Sequence, residues 1–116
     1  METIFIQDND EAVLDVLQLA LRAKGFQVFT IQDFKEGFLD TIDRLRPHVV
    51  MLDYKLSGQG VMEIFMKIKQ KYPHLPIIAL SCNYNIREES RRLGFDDYIR
   101  KPFDLSVLYE VINKHI

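Results

Sequence analysis

Five polar side chains stand where short apolar runs of this sequence end, and they are Asp8, Asn9, Asp53, Ser81 and Lys101. Carboxylate and amide oxygens suit Mg²⁺, which keeps several of its waters in protein sites. A hydroxyl and an ammonium suit phosphoryl oxygens. A carboxylate beside a divalent cation can also attack phosphorus and carry an acyl phosphate. If the fold brings these side chains together, they predict a magnesium-dependent phosphoryl-transfer site.

A plainer interpretation is that each acid caps a helix or solvates a loop. We favour it for Asp10 and Asp104, because both precede helical patterns and aspartate is a common N-cap residue. We do not favour it for Asp53, because the stretch "VVMLDYKL" is apolar right up to the acid. Lys101 followed by Pro102 is, taken alone, equally consistent with a surface turn.

Strand-like and helical patterns alternate along the chain. Apolar or β-branched runs predict five strands, over 4–6, 26–30, 48–53, 76–81 and 97–100. Strands that are apolar along their whole length are typical of a parallel sheet covered on both faces. With right-handed crossovers, five β-α units give a doubly wound α/β fold. The carboxyl ends of its strands share one edge, where open sheets of this kind bind ligands.

Each helical stretch has an apolar face. The predicted faces are Val13, Val16, Leu17, Ala20 and Leu21 over 10–24; Phe34, Phe38, Ile42 and Leu45; Val61, Ile64, Phe65 and Ile68, ending before Pro73; and Leu105, Leu108, Ile112 and Ile116 after Asp104. A polar fourth helix spans 86–93. Gly25 and Gly94 end two of the helices. Asp33 and Glu36 have the spacing of a capping box, which predicts that the second helix begins there.

The bulk composition sets limits on function. At 116 residues the chain fits one domain, 1–116, with a substantial core. Its net charge of −2 does not favour direct binding to nucleic acid. The start lacks a signal-peptide pattern, and no apolar run is long enough for a membrane span. The one cysteine, Cys82, fits a reducing compartment, and we predict that it is a small buried filler. We therefore predict a cytoplasmic protein without a membrane partner.

Three stretches carry a family resemblance, and they are "RPHVVMLDYKLSG", "PIIALSC" and "GFDDYIRKPFD". Together they resemble the receiver domain of two-component response regulators, over essentially the whole chain. The resemblance implies a flavodoxin-like fold with a five-stranded parallel sheet in the order 2-1-3-4-5. It also implies a signalling domain that is not an enzyme, apart from catalysing its own phosphotransfer and dephosphorylation.

The resemblance assigns roles to individual residues. Asp53 matches the aspartate that takes a phosphoryl group from a phosphohistidine, and Ser81 and Lys101 match the residues that bind its oxygens. Pro102 matches a proline that usually follows a cis peptide bond. With Ser81, Tyr98 matches a switch in which the aromatic ring moves inward on activation. The plainer interpretation of Tyr98 is a half-buried tyrosine on an edge strand.

The family also carries an acidic pair after its first strand, and one member of the pair is an amide here. Counting back from Gly25 places the pair at Asp8 and Asn9, whereas counting from Met1 places it at Gln7 and Asp8. We prefer the first register because it puts the apolar face of the first helix, Val16 included, on the family's core positions.

The implied cofactor is Mg²⁺, held by Asp8, Asn9, Asp53 and the backbone carbonyl of Lys55. The Lys55 side chain could lie over the acyl phosphate, and Asn83 could orient a water, which predicts slow to intermediate hydrolysis.

The implied partners are a sensor histidine kinase or a histidine phosphotransfer protein, and a downstream effector protein or output domain. A homodimer that forms on phosphorylation is a further implied partner. The alternative is a pseudo-receiver, an interaction module that works without phosphorylation because its amide weakens metal binding. A flavodoxin-like enzyme for a nucleotide or flavin is disfavoured, since no glycine-rich phosphate loop follows the first strand.

Overall fold

The computed structural model of the protein describes residues 1–55 and 59–116, with only the backbone of residue 59. Its strands are β1 (Thr3–Gln7), β2 (Gln27–Ile31), β3 (Val49–Asp53), β4 (Ile77–Ser81) and β5 (Asp97–Arg100). Its helices are α1 (Glu11–Ala23), α2 (Phe38–Leu45), α3 (Gln59–Lys71), α4 (Ile86–Leu93) and α5 (Leu105–Lys114). All strand pairs are parallel, in the order β2-β1-β3-β4-β5. The predicted flavodoxin-like fold is confirmed. The last three residues of the first family motif, 56–58, lie outside the described residues.

The sheet is covered on both faces, and successive strand residues point alternately into two apolar layers. Ile4, Ile6 and Met51 face α1 and α5, whereas Phe5 and Val50 face the other layer. That second layer also contains residues from α2, α3 and α4. Every residue of β3 and β4 is buried, as expected for the middle of a parallel sheet. Burial on both faces holds the strand ends rigidly in register.

Helix α1 begins at a capped N-terminus and buries most of the predicted face, including Leu17, Ala20 and Leu21. Asp10 accepts hydrogen bonds from the backbone N–H groups of Ala12 and Val13, so its predicted capping role is observed. Leu14 is buried in the core, whereas Val16 is 51 % exposed, so its predicted place on the core face was wrong. The helix is apolar on several sides, and periodicity alone did not distinguish buried Leu14 from exposed Val16.

Helix α2 begins at Phe38, later than the capping-box pattern predicted. Gly37 is its N-cap, with φ 85° in the left-handed region that favours glycine, and no side-chain hydrogen bond caps the helix. Asp33 and Glu36 therefore form no capping box, and that prediction was wrong. Phe34 instead packs edge-on against Phe38, with ring centroids 5.2 Å apart.

The remaining helices agree with the sequence patterns in their bounds and partly in their buried faces. Helix α4 has its predicted ends, and α3 ends before Pro73. In α5, Leu108 and Ile112 are buried, but Leu105 is 46 % exposed. Ile116 lies beyond the end of the helix and is also 46 % exposed, so the predicted burial of these two residues was wrong. Asp104 is the N-cap residue of α5, although its side chain accepts no hydrogen bond there. Within the described residues, none of the helices is long and apolar enough to cross a membrane.

Candidate functional site

Three charged side chains meet at the carboxyl edge of the sheet, and we term Asp8, Asp53 and Lys101 the strand-end triad. Lys101 Nζ donates hydrogen bonds to Asp8 Oδ2 at 2.8 Å and to Asp53 Oδ1 at 3.1 Å. Asp8 is fully buried, Asp53 is 6 % exposed, and 11 % of the Lys101 side chain is exposed. The ammonium thus neutralises one of two carboxylates, and the triad keeps a net charge of −1.

The sheet topology explains how residues so distant in sequence meet. Asp8 directly follows β1 and Asp53 is the last residue of the neighbouring strand β3, whereas Lys101 directly follows β5 at the edge of the sheet. The Lys101 side chain therefore reaches across the end of β4. The backbone N–H of Lys101 donates to the Ser81 carbonyl at 2.8 Å, and this hydrogen bond fixes the Lys101 backbone beside the end of β4. The Lys101–Pro102 peptide bond is cis.

The charge state of Lys101 reflects opposing influences. Burial disfavours the ammonium, but the hydrogen bond to Asp8, together with the charge and hydrogen bond of Asp53, outweighs it. The net result is a pKa for Lys101 that lies above its ordinary value. Lys101 is accordingly a fixed cation at neutral pH, suited to holding anionic oxygen.

A second lysine lies near the same carboxylate from the solvent side. Lys55 Nζ is 3.9 Å from Asp53 Oδ2, and 58 % of its side chain is exposed. A pair this long and this exposed contributes little to stability. Its position nevertheless places a second cation near Asp53 Oδ2.

The oxygen donors around the triad are of the type that Mg²⁺ prefers. Asp8 and Asp53 supply carboxylates, exposed Asn9 an amide oxygen, and Lys55 a backbone carbonyl. Within residues 1–55 and 59–116, no group of three or more His, Cys, Asp or Glu side chains forms a metal-binding cluster. Two carboxylates, an amide, a carbonyl and waters still fit a hard cation.

Gln7 differs from Asp8 in what its side chain does. Asp8 Oδ1 accepts the Asp10 N–H at 2.8 Å, and its other oxygen meets Lys101. The Gln7 amide is instead engaged by backbone groups, namely the Asp53 N–H and the Gln32 carbonyl. These contacts of Gln7 were not predicted from the sequence, in which Gln7 was only a possible member of the acidic pair. A polar residue directly after the apolar run over residues 4–6 was the available signal.

The end of β4 and the loop after it contain Ser81, Cys82 and Asn83, and the structure corrects the prediction for one of them. Ser81 is buried, and its Oγ accepts the Asn83 N–H at 3.1 Å. Asn83 Nδ2 is buried and has no hydrogen-bond partner among the described residues. Cys82 is exposed, so its prediction as a buried filler was wrong. The strand ends at Ser81, and the chain turns so that the next side chain faces solvent.

Aromatic side chains connect the site to the second apolar layer. Tyr98 is half-buried on β5 and packs against that layer. Tyr54, which directly follows Asp53, is buried and packs edge-on against Phe95, with ring centroids 6.0 Å apart. Burial, followed by the charge of Glu89, raises the pKa of Tyr54. The burial of Tyr54 was not predicted, because its position in a loop after β3 does not indicate an apolar environment.

Comparison with known proteins agrees with this architecture. A family model described as the response regulator receiver domain matches residues 4–113, and the chain belongs to this family. It is a signalling domain of two-component response regulators.

Solved structures from several organisms share the fold. The response regulator TrrA from Thermotoga maritima, crystallised in complex with Mg²⁺ and BeF, is 23 % identical, with a TM-score of 0.84 and 100 % of both chains covered. The N-terminal signal receiver domain of a response regulator from Bacteroides fragilis is 28 % identical, with a TM-score of 0.83 and coverage of 99 % of this chain and 96 % of that one. A CheY-like receiver domain protein from Methanospirillum hungatei is 27 % identical, with a TM-score of 0.83 and coverage of 98 % and 92 %.

Proposed function

We propose that residues 1–116 act as one receiver domain that takes a phosphoryl group from a phosphohistidine onto Asp53. The single observation that supports this most directly is the strand-end triad. It presents a nearly buried carboxylate with a fixed ammonium 3.1 Å away. The family to which the chain belongs supplies the class of reaction, and the triad supplies the residues that would perform it.

In the proposed reaction, an Asp53 carboxylate oxygen attacks phosphorus while the P–N bond of the phosphohistidine breaks. The imidazole nitrogen keeps the electron pair of that bond, and an acyl phosphate forms on Asp53. Lys101 holds an anionic oxygen of the transferred group, and the Ser81 hydroxyl donates to another. These roles need donors that are already in place, which favours Lys101 because its charge and position are fixed by the triad.

Asp8, Asn9, Asp53 and the backbone carbonyl of Lys55 would hold Mg²⁺ in this proposal. A bound divalent cation would offset the negative charge that gathers on the phosphoryl oxygens. The net charge of −1 on the triad favours a cation at this edge. Asn9 contributes a neutral oxygen, so the site has less negative charge than one with a third carboxylate would have.

The proposed partners follow from the family. A sensor histidine kinase or a histidine phosphotransfer protein would donate the phosphoryl group, and an effector protein or output domain would respond. We propose that half-buried Tyr98, with Ser81, changes position when the phosphoryl group is bound. A homodimer that forms on phosphorylation is a further proposed partner, and the cytoplasm is the proposed location.

Incubation with acetyl phosphate and Mg²⁺, followed by intact-mass measurement, tests the proposal. A receiver should gain the mass of one phosphoryl group, and EDTA should prevent the gain. A pseudo-receiver, favoured by the amide at Asn9, should show no gain at any Mg²⁺ concentration. The result therefore separates the two candidate functions directly.

The effect of Asn9 on metal binding can be predicted separately. We expect Asn9→Asp to tighten Mg²⁺ binding roughly tenfold, equivalent to ~1.4 kcal/mol, because a charged oxygen replaces a neutral one beside the cation. Titration with Mg²⁺ followed by NMR shifts measures the change. Asn113→Asp, on the exposed side of α5, adds the same charge elsewhere and should leave the affinity unchanged. An unchanged affinity in Asn9→Asp, with tightening in Gln7→Glu, would establish the other register.

The Lys55 side chain should slow loss of the phosphoryl group. Its Nζ lies 3.9 Å from Asp53 Oδ2, which supports the proposal that it hinders the approach of water to an acyl phosphate on Asp53. We expect Lys55→Ala to lose the phosphorylated mass about threefold faster once the donor is removed, an effect on the scale of one exposed ion pair. Lys35→Ala, in the exposed loop before α2, is the matched control. Equal decay in wild type and Lys55→Ala would leave Lys55 with a backbone role only.

A further inference from the structure

We infer that Gln7 and Gln32 form an amide clamp that positions Asn9 and the Asp53 backbone at the proposed magnesium site. The effect of the clamp on Mg²⁺ binding rests on the proposed function, whereas the clamp itself is a set of hydrogen bonds in the structure. Gln7 is the last residue of β1 and is only 7 % exposed. Its amide spans the ends of three adjacent strands.

The first contact of the clamp supports the Asp53 backbone. Pairing between β1 and β3 ends at Gln7 and Leu52, so the Asp53 N–H lies one residue beyond the paired register. Gln7 Oε1 accepts this buried N–H at 3.3 Å. A side chain of β1 thereby extends the support of β3 by one residue, to the residue that would carry the phosphoryl group.

The remaining contacts join the loops that follow β1 and β2. Gln7 Nε2 donates to the Gln32 carbonyl at 2.7 Å and lies 3.4 Å from Asn9 Oδ1. Gln32 Nε2 in turn donates to the Asn9 carbonyl at 3.2 Å. Asn9 is therefore held at its backbone by Gln32 and at its side chain by Gln7.

The network also fixes which end of each amide faces which neighbour. Gln7 Oε1 faces an N–H donor and Gln7 Nε2 faces a carbonyl acceptor, so the Gln7 amide has one consistent orientation. Gln7 Nε2 is then a donor toward Asn9, so the Asn9 amide must turn its oxygen, Oδ1, toward Gln7. At 3.4 Å this contact is weak, and it leaves the second lone pair of Asn9 Oδ1 free for a cation. Gln7 and Gln32 are positioning residues in this account and touch no reacting atom.

The clamp can be tested without metal by hydrogen exchange of the Asp53 amide. In Mg²⁺-free protein we expect Gln7→Met, similar in length but without an amide, to raise the Asp53 N–H exchange rate about fivefold, the effect of one hydrogen bond. Thr3→Val is the matched control, because Thr3 is a buried polar residue at the other end of β1 that donates to Gln27. It should leave Asp53 exchange unchanged.

Mg²⁺ affinity supplies the second readout. We expect Gln7→Met to weaken Mg²⁺ binding about fivefold and Gln32→Ala, an exposed substitution, about twofold without changing Asp53 exchange. In an Asn9→Ala background the Gln32→Ala effect should disappear, because Gln32 acts through Asn9. Unchanged Asp53 exchange in Gln7→Met, or an equal loss of affinity in Thr3→Val, would overturn the clamp. A wild type that does not bind Mg²⁺ would overturn the proposed function, and the metal-free exchange rates alone would then decide whether the clamp exists.

Discussion

Asp53→Asn is expected to abolish the gain of one phosphoryl mass from acetyl phosphate and Mg²⁺. The substitution keeps the size and one oxygen of the side chain but removes the nucleophilic charge. Because Lys101 keeps its 2.8 Å hydrogen bond to Asp8, the variant should fold, and its unfolding free energy should change by less than about 1 kcal/mol. Intact-mass measurement beside a circular dichroism melt gives both results from one preparation.

Asp33→Asn is a suitable control for this experiment, because Asp33 is an exposed acid in the loop after β2. It should gain the same mass as the wild type. Labelling of Asp53→Asn to the wild-type level would mean that another acid accepts the phosphoryl group. Peptide mapping of the labelled variant would then identify that acid.

Lys101→Met is expected to lower the unfolding free energy by about 3 kcal/mol at pH 7. The substitution removes the cation of the triad and leaves the buried carboxylates of Asp8 and Asp53 without a counter-ion. Removing one partner of a buried ion pair is strongly destabilising, because an uncompensated buried charge remains. Methionine fills most of the space of the lysine stem, so a cavity contributes little. Urea unfolding at fixed ionic strength measures the difference. The variant should also gain little or no phosphoryl mass, because the Lys101 ammonium, which we propose holds the transferred group, is gone.

The stability conferred by Lys101 should depend on pH in a defined direction. Its pKa is raised in the folded protein, so the folded state holds the proton more tightly than the unfolded chain does. This contribution to stability is fully present below the pKa of Lys101 in the unfolded chain, which is ~10.4. It is lost as the pH rises through the higher pKa of Lys101 in the folded protein. The difference between wild type and Lys101→Met should therefore narrow at strongly alkaline pH.

Lys69→Met provides a comparison with another lysine–carboxylate pair. Lys69 Nζ contacts Asp96 at 2.6 Å near the start of β4, at the opposite edge of the sheet, and both side chains are more exposed than those of the triad. Its loss should cost about 1 kcal/mol and leave phosphorylation intact. Equal destabilisation by Lys101→Met and Lys69→Met would show that burial of the triad does not increase its contribution to stability.

Most of the fold followed from strand patterns that leave little freedom. The run "HVVMLD" and the run "PIIALS" are too apolar for a surface, so they had to be central strands of a covered sheet. Once these were parallel, their carboxyl ends had to share an edge. The meeting of Asp53 with Lys101 followed from that constraint, and their separation of 48 residues was no obstacle.

Predictions failed where several local solutions had similar energies. Helix α1 carries apolar residues on most sides, so Val16 and Leu14 were equally plausible core residues until the angle of packing was known. The spacing of Asp33 and Glu36 fitted a cap, but left-handed Gly37 starts the helix later. Cys82 shows a third case, since a single residue past a strand end can face either way.

The strand-end triad also has a consequence for the order of events in folding. Asp8 and Lys101 are 93 residues apart in sequence, so their contact closes one of the longest loops in the molecule. Contacts of this separation form only after the intervening elements have been brought together. A chain whose β5 has detached, even briefly, holds Asp8 and Asp53 without the Lys101 counter-ion, and it lacks the ammonium that we propose holds the transferred phosphoryl group. Completion of the proposed site and docking of the final strand are thus one event, and an incompletely folded chain is expected to accept no phosphoryl group.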